Sequence, residues 1–148
     1  MTDRPDLAAM ISPLSRALIE AELPVLREHG LSMWAYSVLL ALDERPLRTQ
    51  AALAESIGAD KTRIIGFLDD LQQKGLIERV PDPADRRARV LSLTAEGRRV
   101  RDSAQAGIRR NEERLLARLP DEDRHGFLRA LQMLAALPHE EIAGPRQA

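Results

Sequence analysis

The sequence predicts a mostly helical chain with one small two-stranded β-wing, and three observations carry that prediction. Ala, Leu, Arg and Glu, all good helix formers, dominate the 148 residues, while aromatics make up only 3%. Apolar residues recur at helical spacing through most of the chain, and the period changes to alternation only around residues 76 to 93. With 44% hydrophobic and 30% charged residues, the chain has the balance of one globular domain with extra helices and not that of a disordered segment.

Ser12 followed by Pro13 reads as an N-cap with proline in the first turn, opening a helix toward His29 that stops at Gly30 and kinks at Pro24. Ser32 caps a second helix, Met33 to about Leu42, with Trp34, Val38 and Leu42 on one face. Asp43 to Arg48 is a connector around Pro46. Thr49 caps a short third helix from Gln50 to Ile57, with Leu53, Ala54 and Ile57 inward and Gly58 at its end. After a tight turn, Asp60 caps a fourth helix from Lys61 to Lys74, closed by Gly75. On this helix Ile64, Phe67, Leu68 and Leu71 cluster on a core face, opposite Thr62, Gly66, Asp69 and Gln73.

Leu76 to Val80 and Val90 to Leu93 read as two strands of a hairpin, joined by a loop of prolines, aspartates and arginines from Pro81 to Arg89. Thr94 caps a long helix from Ala95 to about Arg118, with Val100, Ala104, Ile108, Leu115 and Leu119 on its apolar stripe. Pro120 breaks it, and a last helix from Asp121 to Leu137 turns Phe127, Leu128, Leu131, Leu134 and Leu137 inward. Gly144 to Ala148 is expected to fray.

Several classes of function are excluded or left without support. The chain has no cysteine, which removes disulfides, thiolate zinc sites, iron–sulfur clusters, cysteine nucleophiles and thiol redox sensing. Its longest apolar run, within Ser37 to Leu42, falls far short of the ~18 residues that span a bilayer, so no membrane association is expected. Asp3, Arg4 and Asp6 lead into no apolar signal region, so the expected compartment is the cytoplasm. His29, His125 and His139 lack metal-ligand spacing, and no phosphate loop, paired-carboxylate site or catalytic triad pattern occurs. Neither a cofactor, a metal nor an enzyme activity is expected.

A net charge of −1 hides a segregation. Residues 1–60 carry 5 Lys/Arg and 9 Asp/Glu, residues 61–101 carry 10 and 6, and residues 102–148 carry 7 and 8. The basic middle third coincides with a short helix, a tight turn, an amphipathic helix and a hairpin with an arginine tip, the element order of a winged helix-turn-helix. That order places the N-terminal turn of the fourth helix in a DNA major groove and the hairpin tip along the backbone or in a minor groove. Lys61, Thr62 and Arg63 sit at the positive end of the helix dipole, and Gly66 presents no side chain to block close approach. Arg86, Arg87 and Arg89 suit the negative potential of a narrow minor groove. Read singly, the helix is an ordinary core helix and the loop a solvated turn whose Asp82 and Asp85 pair with its arginines. The combination at this spacing points to double-stranded DNA.

These segments resemble the MarR (multiple antibiotic resistance regulator) family of winged helix-turn-helix transcriptional regulators. The resemblance rests on Leu53-Ala54, Gly58-Ala59-Asp60-Lys61 and Leu71-Gln72-Gln73-Lys74-Gly75-Leu76-Ile77. Its most specific parts are Pro81-Asp82-Pro83-Ala84-Asp85-Arg86-Arg87 and Leu91-Ser92-Leu93-Thr94-Ala95-Glu96-Gly97. It covers residues 10 to 137 and implies one MarR-type domain over 1–148, with a winged lobe at 32–94 and dimerisation helices at 7–30 and 95–137. It further implies a homodimeric repressor on a palindromic operator, with Asp85 orienting Arg87 in the wing and Lys61, Thr62, Arg63 and Ile65 contacting DNA. The family more often has Thr and Arg where Ile65 and Gly66 stand, so operator preference is left open. Release by a small aromatic or phenolic acid is implied too, with a candidate effector pocket at His29, Trp34 and Tyr36; the competing reading makes the two aromatics core or interface residues. The alternative function is a winged-helix protein-interaction module without DNA binding, favoured by the low net charge and by Asp69 and Asp70 on the fourth helix.

Overall fold

A computed structural model describes residues 3–44 and 48–145. Its elements run α1 (Leu7–Glu28), α2 (Met33–Glu44), β1 (Arg48–Thr49), α3 (Gln50–Ile57), α4 (Lys61–Gln73), β2 (Ile77–Pro81), β3 (Arg89–Leu93), α5 (Ala95–Leu116), α6 (Asp121–Ala135) and α7 (His139–Ala143). The chain forms two compact units, Met1–Ile108 and Arg109–Ala148.

The first unit contains the core. Leu26 of α1, Val38, Leu39 and Leu42 of α2, Leu53 of α3, Ile64, Leu68 and Leu71 of α4, and Ile77 and Leu91 of the sheet are all fully buried, joined by Ala104 and Ile108 of α5. Caps set the helix starts as expected. The Ser32 hydroxyl oxygen accepts from the Ala35 amide at 3.1 Å and Thr49 Oγ1 from the Ala52 amide at 3.2 Å. Gly58 ends α3 at φ +70°, a left-handed conformation that glycine adopts without Cβ strain, and the Ala59 amide closes the turn on the Ala54 carbonyl at 2.9 Å.

The sheet has the order β1-β3-β2, with Ile77 paired to Leu93, Arg79 to Leu91 and Pro81 to Arg89. The hairpin is the expected wing. The third strand, β1, lies in the expected connector and pairs Arg48 with Leu91 and Thr49 with Val90. Two residues are too short to show an alternating pattern. The rest of the connector, residues 45–47, lies outside the described residues, as do residues 146–148 of the tail expected to fray.

Thr94 joins three elements at the base of the wing. Its hydroxyl donates to the Gly75 carbonyl at 2.6 Å and accepts from the Gly97 amide at 2.9 Å, while its amide donates to the Leu76 carbonyl at 3.1 Å. Gly97 packs so closely that an added Cβ would lie 1.9 Å from the Leu76 carbonyl oxygen.

Four expectations need correction. The first helix begins at Leu7 and not at Ser12-Pro13, and it is continuous across Pro13 and Pro24. The apolar positions Leu7, Met10, Ile11 and Leu14 already follow helical spacing, and a proline inside a helix costs one backbone hydrogen bond without always ending it. Trp34 is not on the buried face of α2: it is 39% exposed with its ring 6.4 Å from that of Phe67, while its neighbours Ala35 and Tyr36 are the first-turn residues that enter the core. Leu115 and Leu119 are exposed, as are Phe127, Leu128, Leu131, Leu134 and Leu137 of the last helical segment. Periodicity identified their stripes correctly but cannot say what covers them. That segment also stops earlier than expected, at Ala135, and a short α7 follows.

Candidate nucleic-acid interface

The start of α4 is built by its cap. The Asp60 carboxylate accepts from the Thr62 amide at 3.1 Å, and that bond, with a second from the Thr62 hydroxyl, holds the Asp60 carboxyl below its usual range. Burial of Ile64, Leu68 and Leu71 fixes the rotation of the helix, which turns Lys61, Thr62, Arg63, Ile65 and Gly66 to the surface. Neither Lys61 nor Arg63 forms an ion pair among the described residues. Open space surrounds the position where a Gly66 Cβ would stand. The result is an exposed helix end with two unpaired cations and, one turn in, a glycine that adds no side chain, a geometry that accepts a polyanion.

The wing loop is a closed structure. Asp82 donates its amide to the Ala88 carbonyl at 3.0 Å and accepts from the Ala84 amide with its carboxylate at 2.9 Å. The Asp85 carboxylate accepts from the Arg87 amide at 3.0 Å, and the Ala88 amide donates to the Asp85 carbonyl at 3.0 Å. Both aspartates therefore bond to the loop backbone, and neither forms the ion pair with the loop arginines that the competing solvated-turn reading would have. Arg86 and Arg87 are exposed at the tip and carry no ion pair among the described residues. Arg89 opens β3 directly after the loop, paired with Pro81, and with Gln50, Gln72 and Arg79 it lines a polar cleft of about 370 Å³.

Sequence reasoning missed the ties between elements. Arg79 of β2 pairs with Asp69 and donates to the Gln72 side chain at 2.6 Å, so the wing is bonded directly to α4. Asp70 pairs with Lys74 at 3.0 Å, and Lys74 also donates to the Gly30 carbonyl at 3.0 Å. Asp43 at the end of α2 takes Arg98 at 2.6 Å and also Arg101, both from α5. Only the Asp70–Lys74 pair, four apart on one helix, carried a readable signal.

The three candidate effector residues have different surroundings. His29 lies with Nδ1 2.8 Å from the Val25 carbonyl and Nε2 2.9 Å from the Ser103 hydroxyl. A carbonyl only accepts, so in the neutral ring Nδ1–H donates and Nε2 accepts from Ser103. Tyr36 belongs to the core at 5% exposure, whereas Trp34 is partly exposed against Phe67.

Comparison with known proteins agrees with this architecture. The model of the MarR family matches residues 29–88. Transcriptional regulator HosA of Escherichia coli O111:H- is 31% identical over 99 residues, 67% of this chain and 73% of that protein. A MarR-family transcriptional regulator from Rhodococcus sp. RHA1 is 30% identical with a TM-score of 0.74, over 90% of this chain and 97% of that one. The transcriptional repressor CouR, solved on a 23-mer DNA duplex, is 30% identical with a TM-score of 0.75, over 88% of this chain and 92% of its own. CouR from Rhodococcus jostii RHA1 is also solved bound to p-coumaroyl-CoA.

Proposed function

Because the chain belongs to the MarR family of transcriptional regulators, which are not enzymes, we propose that it is a homodimeric repressor binding a palindromic duplex operator in the cytoplasm. Residues 32–94 form the DNA-reading lobe, and the helices over 7–30 and 95–137 join the two copies. Lys61, Thr62, Arg63, Ile65 and Gly66 meet the major groove, while Arg86 and Arg87 enter the minor groove from a loop that Asp85 braces. Arg89, at the loop end of β3, contacts the DNA backbone beside them. The observation that carries this reading is the set of unpaired cations on two rigidly capped segments, the α4 N-terminus and the wing tip.

CouR is a repressor solved both on DNA and with an aromatic acyl-CoA, which supports repression and a small aromatic acid or its thioester as the releasing ligand. His29, Trp34 and Tyr36 are the proposed pocket residues. The interaction-module alternative drew on Asp69 and Asp70, and both carboxylates are matched by Arg79 and Lys74. Their negative charge is therefore compensated next to the proposed DNA face.

Titrating the protein against duplex DNA from its own upstream region, with unrelated duplex as control, tests the proposal. Selective binding that a small aromatic acid weakens is the expected result. Equal, weak binding to both duplexes contradicts it.

A further inference from the structure

We propose that α4 reads thymine, through an apolar patch made by Ile65 and the γ-methyl of Thr62 that contacts the C5-methyl group in the major groove. The inference rests on the DNA-binding reading above and specifies what that surface recognises. Ile65 is 46% exposed and is the one large apolar side chain that α4 leaves at the surface, between the buried Ile64 and Leu68. An isoleucine so placed does nothing for the core. Thr62 lies three residues away and so adjoins it on the helix surface, while Gly66 beside them adds no side chain and has open space around it.

Beyond the unpaired Lys61 and Arg63 at the helix start, the polar side chains further along this face are already engaged. Thr62, whose amide donates to the Asp60 carboxylate at 3.1 Å, is exposed and brings a γ-methyl to the surface next to Ile65. One turn further on, Arg79 pairs with Asp69 and donates to the Gln72 side-chain oxygen at 2.6 Å, so neither is free to reach for a base edge. The middle of this face, at Ile65 and Gly66, therefore offers apolar contact, and hydrogen bonding to base edges is left to Lys61 and Arg63 at the helix start. In the major groove the thymine methyl is the one apolar group on a base edge. Ile65 is β-branched and held near a single χ1 rotamer in a helix, so little rotamer freedom is lost when it packs against that methyl.

Selecting binding sites from a random duplex pool with the full-length protein, then replacing the enriched thymine in each half-site by deoxyuridine, removes only the methyl. The wild type is expected to enrich a thymine in each half-site and to lose about fourfold in affinity per methyl removed, the worth of one buried carbon. Ile65→Ala is expected to bind the thymine and deoxyuridine duplexes alike. Equal sensitivity in wild type and Ile65→Ala, or half-sites without a fixed thymine, overturns the thymine reading while DNA binding stands. No enrichment of any sequence overturns the DNA reading itself, and this inference with it.

Discussion

Gly97 shows how little room one position can leave. Its missing Cβ would lie 1.9 Å from a backbone oxygen, that of Leu76, at the point where Thr94 already bonds α5 to the end of α4 and the wing. Backbone cannot move aside as a flexible side chain can, so Gly97→Ala should destabilise by about 3 kcal/mol, the upper end for overpacking. Urea melts of the two proteins measure this. Asp60 makes a prediction in acid. Its folded pKa is depressed by the Thr62 amide and hydroxyl, so the stability it contributes is fully present above the ordinary aspartate pKa of the unfolded chain and is lost as pH falls through the lower folded value. The wild type should therefore melt above Asp60→Ala at neutral pH, and thermal melts of both should converge in strong acid.

The wing and α4 carry the proposed DNA contacts. Arg87 touches no core residue, so Arg87→Ala should leave the melting temperature unchanged and weaken operator binding about tenfold, within the ~1–3 kcal/mol of a good arginine contact. Fluorescence anisotropy with labelled duplex measures the loss. Asp85→Ala releases the bond to the Arg87 amide and should weaken binding through Arg87, so its effect should shrink in the Arg87→Ala background. Much of both elements could be read from the sequence. Asp60, the burial period of Ile64, Leu68 and Leu71, and Gly75 are local signals, as are the prolines and aspartates of the loop. What stayed hidden depends on distant residues: the Arg79–Asp69 pair joins two elements, and β1 is defined only by its partner β3. The first helix starts at Leu7, ahead of the local start signal Ser12-Pro13, because the apolar spacing of Leu7, Met10, Ile11 and Leu14 carries it further toward the N-terminus.

Across the whole molecule, the stripes of α1 and α6 ask for a covering surface. Leu7, Met10, Ile11 and Leu14 on α1, and Phe127, Leu128, Leu131 and Leu134 on α6, are exposed at helical spacing. Stripes this long on a folded chain mark an interface, and a second copy of the chain is the proposed cover. The stripe of the last helix is legible in the sequence but its cover is not, since a buried core and a subunit interface have the same period, and the stripe of α1 lies partly ahead of the Ser12-Pro13 start that the sequence suggests. Leu131→Glu is expected to convert the dimer to a monomer by light scattering with helicity kept, and deletion of residues 1–30 to abolish dimer and DNA binding together. Contact between the winged lobe and DNA phosphates is what the proposed function requires first, and operator affinity as a function of salt measures it directly. Each neutralised phosphate contributes a slope of about −0.9 in log affinity against log salt, so a steep decline is expected. A flat salt dependence would contradict it.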